Sequence, residues 1–294
     1  MQRRFMLKFA AALGAVALCA SAHAQAETIK VGVTGGPHAQ IMDVVKKVAA
    51  KSGLDIRIVE FSDYVQPNAA LASGDLDANS YQHDPYLQAQ VRDRGYKLIK
   101  VADTVTFPMG IYSKRVKSLA ELKPGARIAV PNDPTNGGRA LLLLQKQGLL
   151  KLRADAGLKA TPLDIVDNPR KLKIVELDAA QIPRSLGDVD AAAINTNYAM
   201  EAGLKPKQDA IAIEGPNGPY ANILAIREAD RGKPWVAKLV AAYPLRGCEA
   251  VHRTEVWRRG HRRLVTRGAG RAPVTIRVDD RKPGLCVRVF SLLK

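Results

Sequence analysis

Apolar and polar positions along the chain alternate between two rhythms. TIKVGV (28–33) is a short continuous apolar run of the kind that forms a buried strand, and a turn at Gly35-Gly36 follows it. Pro37 then opens HAQIMDVVKKVAAKSG (38–53), where apolar residues recur at helical spacing up to a terminating glycine, and DIRIVEF (55–61) is a second strand. Strand, helix, strand predicts a right-handed crossover and a parallel sheet.

The next stretch predicts a short helix to Ser73, a turn at Gly74-Asp75, and a helix that begins in the ring-rich DANSYQHDPYL (77–87) and stops at Gly95. TFPMGIYS (106–113) is expected as one strand, and ARIAVP (126–131) as the first strand of a second sheet. PTNGGRALLLLQKQGLLKL (134–152) predicts a helix whose start is marked by Thr135 and Asn136. The strand KLKIVEL (171–177), a short helix around AQIPRSL and the strand DAAAIN (190–195) complete a second α/β unit. AIAIEG and YANILAIRE are expected strands, and KPWVAKLVAAY (233–243) a final helix. With no flexible linker between the units, the pattern predicts two lobes with a cleft between them, where strand ends would meet a ligand.

The ends of the chain depart from this pattern. Arg3, Arg4 and Lys8 precede the apolar run Phe9–Ala20, which ends in Ala22-His23-Ala24, so residues 1–24 are expected to be a secretory signal peptide. Cys19 offers a lipid-anchoring alternative, ranked lower because Leu18 stands where lipidation signals prefer a small residue. The expected compartment is the periplasm, and with Cys248 and Cys286 both in the tail the fold needs no disulfide.

Charge is also uneven. The formal +17 includes +9 from residues 244–294 and +3 from the leader, leaving only +5 for residues 25–243. Within the tail, RTEVWRRGHRRLVTRGAGRAP keeps no helical or strand period. A nucleic-acid or membrane-surface arm is one reading; a slipped reading frame is the favoured one, because a frame one nucleotide later can be written as an amphipathic helix with a glycine stop.

Three groups of side chains carry candidate chemistry. Tyr64, Tyr81, His83 and Tyr86 fall after strands or at a helix start, where they would enclose a small apolar group or, equally, pack their own loop against the sheet. Asn136 and Arg139 lie at the start of a helix that favours an anion, and a guanidinium grips a carboxylate at two points, while Gly137 and Gly138 would permit close approach of a ligand. Asn195, Asn197 and Asn222 follow or interrupt apolar strands and, if buried, need partners such as an ammonium; for Asn197 a strand cap reads nearly as well. Ser80 near His83 lacks a nucleophile turn, Gly35-Gly36 lacks a dinucleotide fingerprint, and His38 and His83 lack ligand-spaced partners. An enzyme, a metal site and a cofactor are therefore not expected.

Together VGVTGGPHAQI, SDYVQPNAAL, GDLDANSYQHDPYL, VPNDPTNGGRALLLLQ, NPRKLKIVELDAAQIPRSL and AAINTNYAMEAGL resemble the NlpA-type family of methionine-binding substrate-binding proteins, from about Lys30 to Tyr243. The resemblance implies the two-lobed α/β periplasmic binding-protein fold, each lobe a mainly parallel sheet flanked by helices: residues 25–112 and 213–243 in lobe 1, 113–212 in lobe 2. It implies a monomer that captures L-methionine or a close derivative for an ABC permease with its ATPase subunit, and no nucleic-acid partner. Tyr64, Tyr81, His83 and Tyr86 would enclose the thioether, Arg139 would bind the α-carboxylate, and Asn195 and Asn222 would hold the head group. Two departures stand out: family members often have phenylalanine where this chain has Tyr81, and their C-terminal helix is absent from the sequence as written. A binding protein for a metal ion or another amino acid is the alternative.

Overall fold

The computed structural model describes residues 26–215 and 218–243, with the backbone of three short strands (263–265, 275–277 and 288–290) that pair antiparallel in the tail. The leader, Cys19 and the remaining tail, with the frame-slip expectation, lie outside the described residues.

Lobe 1 is built from β1 (Glu27–Thr34), α1 (Pro37–Ala50), β2 (Leu54–Phe61), α2 (Gln66–Ser73), β3 (Ala78–Asn79), α3 (Asp84–Arg94) and β4 (Leu98–Thr106). The chain then enters lobe 2 with β5 (Gly110–Tyr112), β6 (Arg127–Pro131), α4 (Pro134–Lys146), β7 (Lys151–Leu152), β8 (Ile165–Asp167), β9 (Lys173–Leu177), α5 (Ile182–Ser185), β10 (Ala191–Ile194), α6 (Thr196–Glu201), α7 (Pro206–Asp209) and β11 (Ala210–Ile213). It returns to lobe 1 with β12 (Ala221–Arg227) and α8 (Pro234–Ala242).

The two sheets have the orders β2-β1-β3-β12-β4 and β11-β5-β10-β6-β9. β2, β1 and β3 are parallel, and β12 pairs antiparallel with both β3 and β4; likewise β9, β6 and β10 are parallel, and β5 pairs antiparallel with both β10 and β11. Four strands of each sheet therefore share one direction and one is reversed. Each reversed strand adjoins a passage between lobes, so both passages lie at the carboxyl ends of the forward strands, the edge where α/β sheets bind ligands.

Period-two alternation explains why both faces of each sheet are covered. Along β12, Leu224 and Ile226 pack with α1 and α8, while Ile223 and Ala225 pack with Leu71 and Leu87 of α2 and α3. Along β10, Ala191 and Ala193 face the α4 side, while Ala192 and Ile194 face α5 and α6.

Three sequence expectations change. TFPMGIYS is not one strand: β4 stops at Thr106, β5 starts at Gly110, and Phe107-Pro108-Met109 carries the chain between lobes. Proline has no N–H for the ladder and breaks the pairing there. The lobe boundaries shift accordingly, because Gly110–Tyr112 and Ile213 pair within the second sheet, which places the crossings at 107–109 and 214–220. The long helix ends at Lys146, since Gly148 adopts a left-handed φ of 72°, and Lys151–Leu152 become a strand instead. β4 itself was unassigned in the sequence pattern. It is an edge strand with register shifts against β12, so its Leu-Ile-Lys-Val-Ala-Asp run does not keep a clean alternation.

Candidate functional site

Lobe 1 brings rings to the cleft. His83 is the N-cap of α3, its Nδ1 accepting the Tyr86 backbone N–H at 3.2 Å. That acceptor role leaves the proton on Nε2, which donates to Asn136 Oδ1 at 3.3 Å across the cleft. The hydroxyls of Tyr81 and Tyr86 both donate to the Tyr64 carbonyl, each at 2.9 Å, so the two polar tips are satisfied together and the ring bodies remain as a wall. Ring centroids of Tyr64, Tyr81 and Tyr86 lie 6.0–6.2 Å apart, and burial holds all three phenols well above their ordinary range.

Beneath them, Asn68, Asn79 and Gln82 form a buried amide cluster: Asn68 Nδ2 donates to Gln82 Oε1 (2.8 Å), and Gln82 Nε2 and Asn79 Nδ2 donate to Asn68 Oδ1 (2.7 and 2.9 Å). The ring loop is thus fixed from below by bonds that have no access to water. At its other side Asn222, at the start of β12, donates to His38 Nε2 (3.0 Å), whose Nδ1 meets Thr34 Oγ1 at 2.7 Å. Burial lowers the pKa of His38 to about 4; burial and then Arg139 lower that of His83 to about 3. Both are neutral imidazoles at pH 7.

Lobe 2 brings amides and one cation. Asp133 caps α4 and accepts from the Asn136 N–H (2.8 Å), the Asn136 side-chain amide (3.1 and 3.0 Å) and Thr135 Oγ1 (3.0 Å). The expectation of an anion site at this helix start is therefore corrected: the capping carboxylate already occupies it. Asn136 Oδ1 also accepts from Asn195 Nδ2 at 2.8 Å, so Asn136 joins His83 of one lobe to Asn195 of the other. Asn195 Oδ1 and Asn197 Nδ2 are buried without a partner among the described residues. Gly137 and Gly138 serve the backbone rather than a ligand, because a Cβ there would stand 2.7 Å from Pro131 O and 2.4 Å from Leu158 O.

Arg139, one turn into α4, is held on three sides. Its Nε donates to Glu214 Oε1 (2.8 Å), and Nη2 donates to Glu214 Oε2 (2.5 Å) and to Phe107 O (2.8 Å). Its face lies 4.3 Å from the centroid of Tyr220. The two-point grip expected for a ligand carboxylate is thus taken by Glu214, and Nη1 is the end of the fork that remains among the described residues.

All eight residues expected from sequence, Tyr64, Tyr81, His83, Tyr86, Asn136, Arg139, Asn195 and Asn222, line one small cavity of about 30 Å3 between the lobes. His38, Gln82, Phe107 and Thr196 line it as well and were missed; Asn197, read as a strand cap nearly as readily, lines it too. Of these, His38 carries a signal in the sequence: it follows the turn after β1, a strand-end position. The cleft is closed by direct contacts, Tyr64 Oη to Asn197 Oδ1 at 2.5 Å and the Tyr64 and Tyr198 rings at 4.8 Å. Among the described residues no group of three or more His, Cys, Asp and Glu side chains could hold a metal ion.

Residues 29–256 match the model of the NlpA lipoprotein family. The chain belongs to the NlpA lipoprotein family. The match to this family runs thirteen residues past Tyr243, where the sequence resemblance was expected to end. Among its relatives, the chain is 53% identical over 241 residues to a probable D-methionine-binding lipoprotein MetQ of Vibrio cholerae, covering 81% of this chain and 90% of that protein. It is 51% identical to the D-methionine-binding lipoprotein MetQ of Escherichia coli K12, covering 79% and 88%. A solved nutrient-binding protein of Burkholderia cenocepacia, bound to methionine, is 60% identical with a TM-score of 0.72, covering 73% of this chain and 91% of that one. This NlpA-family chain thus has the α/β two-lobed fold of its solved relatives.

Proposed function

We propose that this chain is the substrate-binding component of an ABC importer, that it captures methionine between its lobes, and that it presents the closed form to a membrane permease with its ATPase subunit. The observation that carries the reading is the division of one closed cavity: a ring wall from lobe 1 faces the guanidinium and, from lobe 2, amide atoms without a partner among the described residues. The names of the relatives and the methionine-bound neighbour support the same ligand.

In this reading the thioether lies against Tyr64, Tyr81 and Tyr86, Arg139 Nη1 meets the carboxylate, and Asn195 Oδ1 accepts from the ammonium. Burying a methionine-sized side chain contributes about 1.5–3 kcal/mol, and each charge-assisted hydrogen bond to the head group about 1.5–3 kcal/mol, before ordering costs are subtracted. A sulfur at a ring edge gains only about 0.3–1.5 kcal/mol over a methylene, so norleucine is disfavoured by about tenfold at most. Ligand contacts to both lobes stabilise the closed state, and closure is the signal passed to the permease. The ligand is not converted; the chain is a carrier and not an enzyme.

The expectation of the L isomer is widened to both enantiomers, since the relatives' names specify D-methionine. The preference for a freely released periplasmic form is also revised. The relatives are named lipoproteins, which puts acylation of Cys19 on an equal footing with cleavage after Ala24. Intact mass of the membrane and soluble fractions distinguishes an acylated Cys19 terminus from a free Gln25 terminus.

The function itself is tested by purifying the protein without refolding, denaturing it and identifying released small molecules by mass spectrometry, then titrating the emptied protein with D- and L-methionine. Methionine in the released fraction, with micromolar or tighter rebinding, is the expected result. Release of a metal ion or a different amino acid, with no methionine binding, overturns the reading.

A further inference from the structure

We propose that Glu214, which does not itself line the cavity, is the residue that makes this site select a zwitterion over an anion of the same shape. The inference rests on the proposed amino-acid ligand and extends it to the charge type that the site accepts.

Among the described lining residues, Arg139 is the one with a formal charge, because His38 and His83 are neutral at pH 7. That charge is already matched: the Arg139 and Glu214 side chains are 5% and 15% exposed and their guanidinium and carboxylate meet at 2.5 and 2.8 Å. A bound anion would leave one uncompensated negative charge in a closed cavity, which is expensive away from water. A zwitterion brings its own compensating ammonium, and Asn195 Oδ1 is a buried acceptor without a partner among the described residues.

Glu214 also cannot turn aside cheaply. It opens the second crossing, its N–H donates to Met109 O (2.9 Å), and its Oε2 accepts the Met109 N–H (2.8 Å), so it ties that crossing to the first. Asp133, the other buried carboxylate nearby, sits behind Asn136 with its oxygens engaged by donors at the start of α4. It supplies no positive charge to balance an anion. Glu214→Gln reverses the count: an anion then balances Arg139, and a zwitterion leaves a net positive charge.

The test is calorimetric titration of the full chain and of Glu214→Gln with methionine and with 4-(methylthio)butanoate, which is methionine without its amino group. The wild-type protein is expected to prefer methionine at least 100-fold, and in Glu214→Gln that ratio is expected to fall at least tenfold while 4-(methylthio)butanoate gains affinity in absolute terms. An unchanged ratio, or weaker binding of the anion by the variant, overturns the proposal while leaving methionine as the ligand. Failure of the wild-type protein to bind methionine instead overturns the ligand reading on which it rests. Should Glu214→Gln not fold, Glu214→Asp decides the same point, because withdrawing the carboxylate by one methylene weakens the neutralisation. The ratio then falls two- to fivefold, and a ratio equal to wild type contradicts the proposal.

Discussion

The two lobes share one scaffold and differ in what they set at the same edge. Each is a five-stranded sheet with one reversed strand beside an interlobe crossing, covered on both faces by apolar clusters. Lobe 1 ends its strands in rings whose polar tips are turned onto one backbone carbonyl. Lobe 2 ends its strands in amides and a buried ion pair. The lesson is that the sheets fix only the place; the handful of residues just past the strand ends decide that one side is apolar and the other polar.

The comparison breaks most sharply at Arg139. Arg139→Ala is expected to weaken methionine binding at least 100-fold by titration, since one charge-assisted contact of about 1.5–3 kcal/mol and the order of both crossings are lost together. It should also lower the melting temperature by several degrees, because Glu214 would be left largely buried without its partner. Next in size is Asn195→Ala, expected to cost roughly tenfold in affinity with little loss of stability, as the bond to Asn136 contributes about 1 kcal/mol. On the ring side, Tyr81→Phe should change affinity less than threefold by titration, because Tyr86 continues to satisfy the Tyr64 carbonyl.

Acid sharpens the same contrast through the histidines. The folded pKa values of about 4 for His38 and about 3 for His83 lie below the ordinary 6.5, so the unfolded chain binds more protons between those limits. Their contribution is complete above pH 6.5 and is lost as pH falls toward 4 and below. Melting temperatures followed from pH 7.5 to 4.5 should fall through this window, and His38→Asn should flatten part of the decline. Methionine affinity should stay level between pH 6.5 and 8, where both imidazoles are neutral.

Much of this was legible in the chain because local chemistry and global fold agree. Val31 to Val33 of TIKVGV and Ile128 to Pro131 of ARIAVP are buried in unbroken runs because both faces are covered there, and the ring and amide residues stand at strand ends where the fold needs no core. What was not legible depends on distant partners. The engagement of Arg139 by Glu214 joins residues 75 apart, and Asp133 took the helix start that an anion was expected to fill. Gln82, Phe107 and Thr196 carry no pattern of their own; the fold alone brings them to the cavity. The break at Pro108 was visible as a residue, but apolar neighbours on both sides disguised a crossing as a strand.

The division of labour between lobes is tested most directly by crystallising the protein with selenomethionine as the ligand and locating selenium from its anomalous signal. The expected result is a single peak within contact of the Tyr64, Tyr81 and Tyr86 rings, with the ligand carboxylate at Arg139 Nη1. Selenium beside Arg139 and away from those rings, or a ligand outside the cavity, contradicts the account.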